Sequence, residues 1–324
     1  MAKKDVAVGI DIGGTNTVYG FADREGNVLA EGKINTREYK LAKNFVSTLY
    51  GAIQASAGKI SGGINILGYG IGAPMGNINK GTIEHPAGLP WKGITPLAGL
   101  FHEHTDLPVI VTNDANAAAV GEMIYGGARK MKNFVVITLG TGLGSGFVVN
   151  GKLVYGHDGF AGELGHTFIR MEASERECGC GMKGCLETYV SATGLKRTLV
   201  KILADSMKPS ELRSYSFNDL DSRVIHEAAL KGDELAKLAF ERTGRTLGFK
   251  LADVVAHTSP EAVFLFGGLT NAGEMLFKPA REAMEENLLI IYRGKVKILP
   301  SQLNAQNAAV LGASSLVWSE IESN

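Results

Sequence analysis

Short apolar, β-branched runs alternate with stretches whose apolar residues recur at helical spacing along the whole chain. That alternation predicts an α/β protein with covered sheets. Val6 to Ile12 (VAVGIDI) reads as a strand ending in Gly13-Gly14-Thr15-Asn16. Residues 17–22 and 27–34 read as the next two strands, the second following a Glu25-Gly26-Asn27 turn. Leu41 to Ala57 spaces Phe45, Leu49 and Ile53 as a covering helix. Ile64 to Ile71 is a buried strand that leads into Gly72-Ala73-Pro74-Met75-Gly76, a loop suited to lining a pocket. A loop at 85–93 carries Trp91, whose ring serves either to close a core edge or to rest on a ligand. A short helix at 95–104, a strand at 109–112 and an alanine-rich helix at 115–123 follow. Residues 134–139 and 147–150 are strands on either side of a glycine-rich turn. Helices are expected at 189–204, 221–231, 233–257, 271–287 and 304–321, with strands at 262–266 and 295–299.

The design at the start recurs: residues 134–150 again run strand, glycine turn carrying a threonine, strand. The repeat, about 125 residues on, suggests two related α/β halves facing each other across a cleft. A glycine turn between strands can close its backbone N–H groups around phosphate oxygens. Asp11, at the end of the first strand, would face the same phosphates and hold Mg2+ through water; an ordinary hairpin is the alternative. No Gly-Lys-Ser/Thr follows and the turn feeds a strand, so this is no Walker loop. Asp114 ends a strand and opens a helix, which suits an N-cap or a catalytic carboxylate at the strand ends. The helix dipole would keep such a carboxylate ionised.

Residues 160–188 hold all three cysteines. Cys178, Cys180 and Cys185, with His166 upstream, supply the ligand set of a closed tetrahedral zinc site. Gly179, Gly181 and Gly184 let so short a loop fold back. Buried, unrelated thiols are the alternative, but a Gly-rich polar loop is not core-like. A closed site is structural, and it would fix Glu163 and Glu187 on either side of it.

Composition narrows the function classes. At 324 residues the chain is about twice the ~150-residue domain prior, so two domains are expected. Hydrophobic content of 45% and charged content of 20% suit an ordinary globular protein with a good core. Lys+Arg and Asp+Glu are 33 each, so no net charge draws the chain to nucleic acid or membrane. The apolar run at the N-terminus is short for a signal peptide, no stretch approaches the ~20 apolar residues of a span, and free cysteines suit a reducing cytoplasm.

Five segments together resemble one family: DIGGTN at 11–16, NDANAA at 113–118, LGTGLGSG at 139–146, GELGH at 162–166 and CGCGMKGCLE at 178–187. The chain resembles the ROK sugar kinases (repressor, open reading frame, kinase) of the actin-like ATPase superfamily, and within them the bacterial glucokinases. The resemblance implies two actin-like ATPase (ribonuclease H-like) domains around a central cleft. They would be residues 1–118, with a terminal helix at about 304–324 packing back, and 119–303 with the zinc loop. It implies ATP-dependent phosphorylation of a hexose at its 6-hydroxyl, most simply glucose, with Mg2+ and a structural Zn2+. By resemblance Asp114 is the catalytic base, and Asn113, Glu163, His166 and Glu187 hold other hydroxyls. Asp11, Gly13, Gly14, Thr15, Asn16, Thr141 and Gly142 would serve the ATP phosphates and Mg2+, with Gly267 and Gly268 near the nucleoside. The family's tendency implies a homodimer or homotetramer.

Two positions depart from the glucokinase pattern. Met75 follows Pro74 where the relatives carry Gly or Asn, and Gly88 stands where an asparagine is usual before Leu89-Pro90-Trp91. Either change could shift preference toward N-acetylmannosamine, N-acetylglucosamine, fructose or allose. A sugar-responsive regulator of the same family is the reading from another class; those carry a helix-turn-helix ahead of the first strand, and only five residues precede it here.

Overall fold

Two five-stranded mixed sheets with the same strand order organise the protein. The computed structural model describes residues 3–86, 88–169, 175–303 and 307–323. In chain order, β1 (Lys4–Ile12), β2 (Asn16–Ala22) and β3 (Val28–Asn35) form an antiparallel meander, followed by α1 (Ala42–Ala57) and β4 (Ile64–Gly72). Three very short strands, β5 (Gly76–Asn77), β6 (Thr82–Glu84) and β7 (Ile94–Thr95), make a small sheet of their own. Then come α2 (Leu97–His102), β8 (Val109–Thr112) and α3 (Asp114–Ile124). The sheet order β3-β2-β1-β4-β8 has β4 and β8 parallel to β1.

The second sheet repeats this plan. β9 (Phe134–Leu139), β10 (Leu143–Val149) and β11 (Lys152–Leu153) precede α4 (Ala192–Asp205), α5 (Ser222–Leu230) and α6 (Glu234–Thr258). β12 (Ala262–Phe266), α7 (Glu274–Asn287), β13 (Lys297–Pro300) and α8 (Ala308–Ser323) complete the chain, and the order is β11-β10-β9-β12-β13. The expected duplication is therefore a duplication of topology. Residues 304–306 and 324 of the expected terminal helix lie outside the described residues, as do 170–174 and Ala87.

Contacts divide the chain into two units: residues 1–132 with 146–162 and 301–324, and residues 133–145 with 163–300. A boundary at 118 would cut α3 in the middle. α8 belongs with the first unit, where it lies flat against β1 and β4. Glycine is what permits this approach. A Cβ built on Gly9 would stand 2.0 Å from the Val310 carbonyl oxygen, and one on Gly70 1.9 Å from that of Ala313.

The first core sets Val8, Ile10 and Ile12 of β1 against Phe45, Leu49 and Ile53 of α1, all fully buried. Trp91 belongs to this core. Its ring lies 4.7 Å from that of Phe45 and its Nε1 donates to the Tyr39 carbonyl at 3.1 Å. Of the two roles open to it, core closure is the one observed. The small sheet escaped the sequence because strands of two or three residues carry no readable alternation. β10 begins at Leu143 rather than Phe147, because Gly144-Ser145-Gly146 is extended despite its low strand propensity. Among the described residues no helix is long and apolar enough to cross a membrane.

Candidate active site

In the first unit, parallel pairing brings three strand ends into one row. Asp11 of β1 is in register with Gly72 of β4, and Gly72 with Thr112 of β8. Asn113 and Asp114 follow directly. A Cβ on Gly72 would sit 3.4 Å from Asp114 Cα and 3.9 Å from Asp11 Oδ1, so this glycine keeps the space between the two carboxylates open. Asn113 takes the cap of α3: its Oδ1 accepts from the Ala115 N–H at 2.8 Å. Asp114 is the first residue of the helix, and its Oδ1 reaches the same N–H at 2.8 Å.

Both carboxylates are held above their ordinary value. Burial first, and the Asp114 charge second, push Asp11 up to about 6. Burial also raises Asp114, outweighing the Ala115 N–H that favours its anion. The helix end does not hold Asp114 at its ordinary value: the N–H groups of Ala115 and of Asp114 itself do not offset the loss of water. Asp114 still presents accessible surface, so protein on its other sides sets the effect. Such a pair is relieved by a proton or by a divalent cation.

The first glycine turn adjoins this row. Gly13 donates to the Asn16 carbonyl at 3.0 Å, and Thr15 and Asn16 are exposed. Gly14 packs near Gly88: a Cβ there would stand 3.0 Å from the Gly88 carbonyl oxygen. Both departures from the glucokinase pattern fall at positive φ, 56° for Met75 and 99° for Gly88. Gly88 thus meets a backbone demand, whereas Met75 adopts a conformation that favours Gly or Asn.

In the second unit the turn after β9 spans residues 140–142, closed by Gly140 N–H to the Gly142 carbonyl at 3.1 Å. Thr141 is exposed at its tip. Gly267 follows β12, whose register places Phe266 beside Thr138. Its φ is 110°, and a Cβ there would lie 2.5 Å from the Leu139 carbonyl oxygen, so only glycine fits; Gly268 is exposed beside it.

The cysteine loop folds back through Cys178 N–H to the Met182 carbonyl at 2.8 Å, and through Ile169 N–H to the Gly184 carbonyl at 2.8 Å. Gly181 and Gly184 have positive φ; Gly179 does not, so two of the three expected glycines carry the turn. The ligand atoms of His166, Cys178, Cys180 and Cys185 lie within 4.8 Å of one another. Cys180 and Cys185 sulfurs are 3.8 Å apart, and His166 Nδ1 is 3.7 Å from Cys178 Sγ. Four ligands at zinc bond lengths on tetrahedral corners stand about 3.7 Å apart, so the set fits the ion. Burial, then the neighbouring thiols, push Cys185 up to about 12, a penalty that a cation at their centre would reverse.

Residues around this loop divide into two groups. Glu163 and the Nε2 edge of His166 stand 3.9 Å apart, both partly open to solvent. Glu187 is turned elsewhere. Its Oε2 accepts from the Leu143 N–H at 3.0 Å, and its Oε1 lies 3.6 Å from Cys178 Sγ. A Cβ on Gly142 would collide with Oε2 at 2.2 Å. Glu187 therefore braces the 140–142 turn from the cysteine loop. Leu143 also meets GELGH, since a Cβ on Gly165 would be 2.2 Å from its carbonyl oxygen.

Arg176 escaped the sequence. It donates to the carbonyls of Thr188 and Gly194 and to Thr198 Oγ1, and lies 4.3 Å over the Tyr189 ring. Burial lowers it to about 10. A lone arginine beside a zinc motif gives no hint that it pins the loop to α4.

A model of the ROK family matches residues 7–320. The chain belongs to the ROK family. It is 34% identical over 281 residues to a glucokinase of Halalkalibacterium halodurans, with 86% of this chain and 84% of that protein covered. It is 30% identical to a xylose repressor of Caldicellulosiruptor bescii over 98% of this chain and 80% of the repressor. Among solved structures it is similar to a ROK glucokinase from Streptomyces griseus in complex with glucose and AMPPNP. There the TM-score is 0.79 at 32% identity, over 97% of this chain and 99% of that one. The paired five-stranded sheets are thus those of the actin-like ATPase fold that ROK glucokinases share.

Proposed function

We propose that this ROK protein is an ATP-dependent hexose kinase that phosphorylates the 6-hydroxyl, with glucose as the preferred acceptor. The observation that carries it is the Asp11–Asp114 pair at the strand ends beside a glycine turn, with both carboxylates raised. Relatives named glucokinase, one of them solved with glucose and AMPPNP, support the same choice.

Phosphoryl transfer requires in-line positioning and neutralised charge more than covalent help. Asp114 accepts the proton of the attacking hydroxyl as the O–P bond forms; its raised pKa makes it a better base than an ordinary aspartate. Asp11 would hold Mg2+, which supplies charge neutralisation at the phosphates. Asn113 spends its carbonyl oxygen on the helix cap and keeps its amide for a sugar oxygen. Glu163 and His166 Nε2 offer an acceptor–donor edge to further hydroxyls. The turns at 13–16 and 140–142 offer backbone N–H groups to ATP, and Gly267-Gly268 a flat approach to the nucleoside. Zinc on His166, Cys178, Cys180 and Cys185 serves the fold alone.

Purified protein given ATP, Mg2+ and a hexose panel should release ADP, with glucose giving the highest kcat/KM. No ADP with any hexose sinks the proposal; preference for fructose or an N-acetyl hexosamine moves it to that kinase. Asp114→Asn should lose about a thousandfold or more in kcat, with hexose affinity kept within a few-fold. The similarity to a xylose repressor favours a second reading, sugar binding without turnover. Calorimetric binding of a sugar with no ADP release would select it.

A further inference from the structure

The first glycine turn lacks a cation. Gly13, Gly14, Thr15 and Asn16 are all neutral, and Asp11, which leads into the turn, is acidic and feels the charge of Asp114. A nucleoside triphosphate brings several negative charges to such a place, and backbone N–H groups alone carry only partial positive charge. The cation comes from outside the motif. Arg37 lies 21 positions beyond Asn16 in the sequence (37 − 16), yet its Nε donates to the Gly14 carbonyl at 3.3 Å.

The backbone beneath Arg37 is locked to the turn. Residues 36–38 form a single 3-10 turn whose cap, Asn35, accepts from the Arg37 N–H at 3.0 Å. Thr36 donates its N–H to the Thr15 carbonyl at 2.9 Å, and its buried hydroxyl pairs with that of Thr17 at 2.9 Å. Asn35 is also in register with Asn16 across β2 and β3. The Arg37 side chain itself is exposed, and no hydrogen bond or ion pair among the described residues engages its two terminal nitrogens. A guanidinium held by its Nε while its paired Nη donors face solvent is disposed for a bidentate grip on phosphate.

We propose that Arg37 is a phosphate-binding residue of the nucleotide site, supplying the charge that the GGTN turn lacks. The proposal rests on the reading of that turn as an ATP-phosphate site. Charge-assisted contacts of this kind are worth roughly tenfold in affinity. Arg37→Ala should therefore lower kcat/KM for ATP about tenfold while hexose KM stays within about twofold. It should weaken AMPPNP binding by a similar factor in calorimetry, which needs no turnover. It should also flatten the dependence of the ATP KM on ionic strength, because one screened charge is gone. Arg37→Lys keeps the charge but loses the fork and the Nε contact, and should recover more than half of the logarithmic loss.

A purely local brace predicts otherwise: lysine would behave like alanine, and the salt dependence would match wild type. Either that pattern, or AMPPNP affinity and ATP kcat/KM of Arg37→Ala within twofold of wild type, overturns the assignment. In those cases an active wild-type enzyme leaves the kinase proposal standing. Wild-type protein that binds no AMPPNP overturns both.

Discussion

Single residues hold the opposing forces at this site. Asp11 illustrates them through pH. Its folded pKa, about 6, is above the ordinary carboxylate value, so the native state binds the proton more tightly. The favourable contribution is full below the unfolded pKa and is lost as pH rises through the folded one. Asp11→Asn should then raise the stability of the unliganded protein by of order 1–2 kcal/mol at about pH 8, and by little below about pH 4. Denaturant titrations at the two pH values check this, and saturating Mg2+ should shrink the gain. Met75 carries strain of a different kind. With φ at 56°, Met75→Gly relieves the backbone while Met75→Val worsens it, and their stabilities should differ by about 2 kcal/mol or more. Equal midpoints in urea would show that the loop tolerates this conformation freely. The sequence flagged Met75 as a departure from the expected pattern, but only its φ shows that the backbone there favours Gly or Asn.

At the scale of elements, one loop supports another. The cysteine loop was expected to fix Glu163 and Glu187, which by resemblance would hold sugar hydroxyls. Glu187 instead reaches the Leu143 N–H and braces the 140–142 turn. Metal withdrawal by a chelator should accordingly raise the KM for ATP along with that for hexose, each several-fold, as read by steady-state kinetics with zinc loss confirmed. An unchanged ATP KM would mean that Glu187 holds the turn without help from the metal. Glu122 plays a comparable bracing part in the first unit. Fully buried in α3, it accepts from the Gly127 and Gln302 N–H groups and from Ser301 Oγ at 2.6 Å. Glu122→Ala leaves three donors unpaired and should cost about 3 kcal/mol in chemical denaturation. Neither brace was legible beforehand, because each joins residues 44 or 179 positions apart through one carboxylate.

At the scale of the whole molecule, each unit carries its own share of the proposed chemistry. The carboxylate row and GGTN turn lie in the first, the zinc ligands and the second turn in the second. Zinc removal should therefore speed hydrogen exchange within residues 175–200 while leaving β1 and β4 protected; loss of protection in both would show that the metal stabilises the entire protein. The strands and helices that fill the two sheets were readable because long periodic runs encode burial locally, as in Val6–Ile12 and α6. So was the cluster of His166, Cys178, Cys180 and Cys185, whose residue types and spacing suit a zinc ion. What the chain order could not contain was proximity. Parallel register set Asp11 beside Gly72 and raised its pKa, a turn of three residues carried Arg37 to Gly14, and Glu187 found Leu143. Local propensity and pattern are properties of neighbours along the chain; desolvation and hydrogen bonding depend on neighbours in space, which only the folded structure supplies.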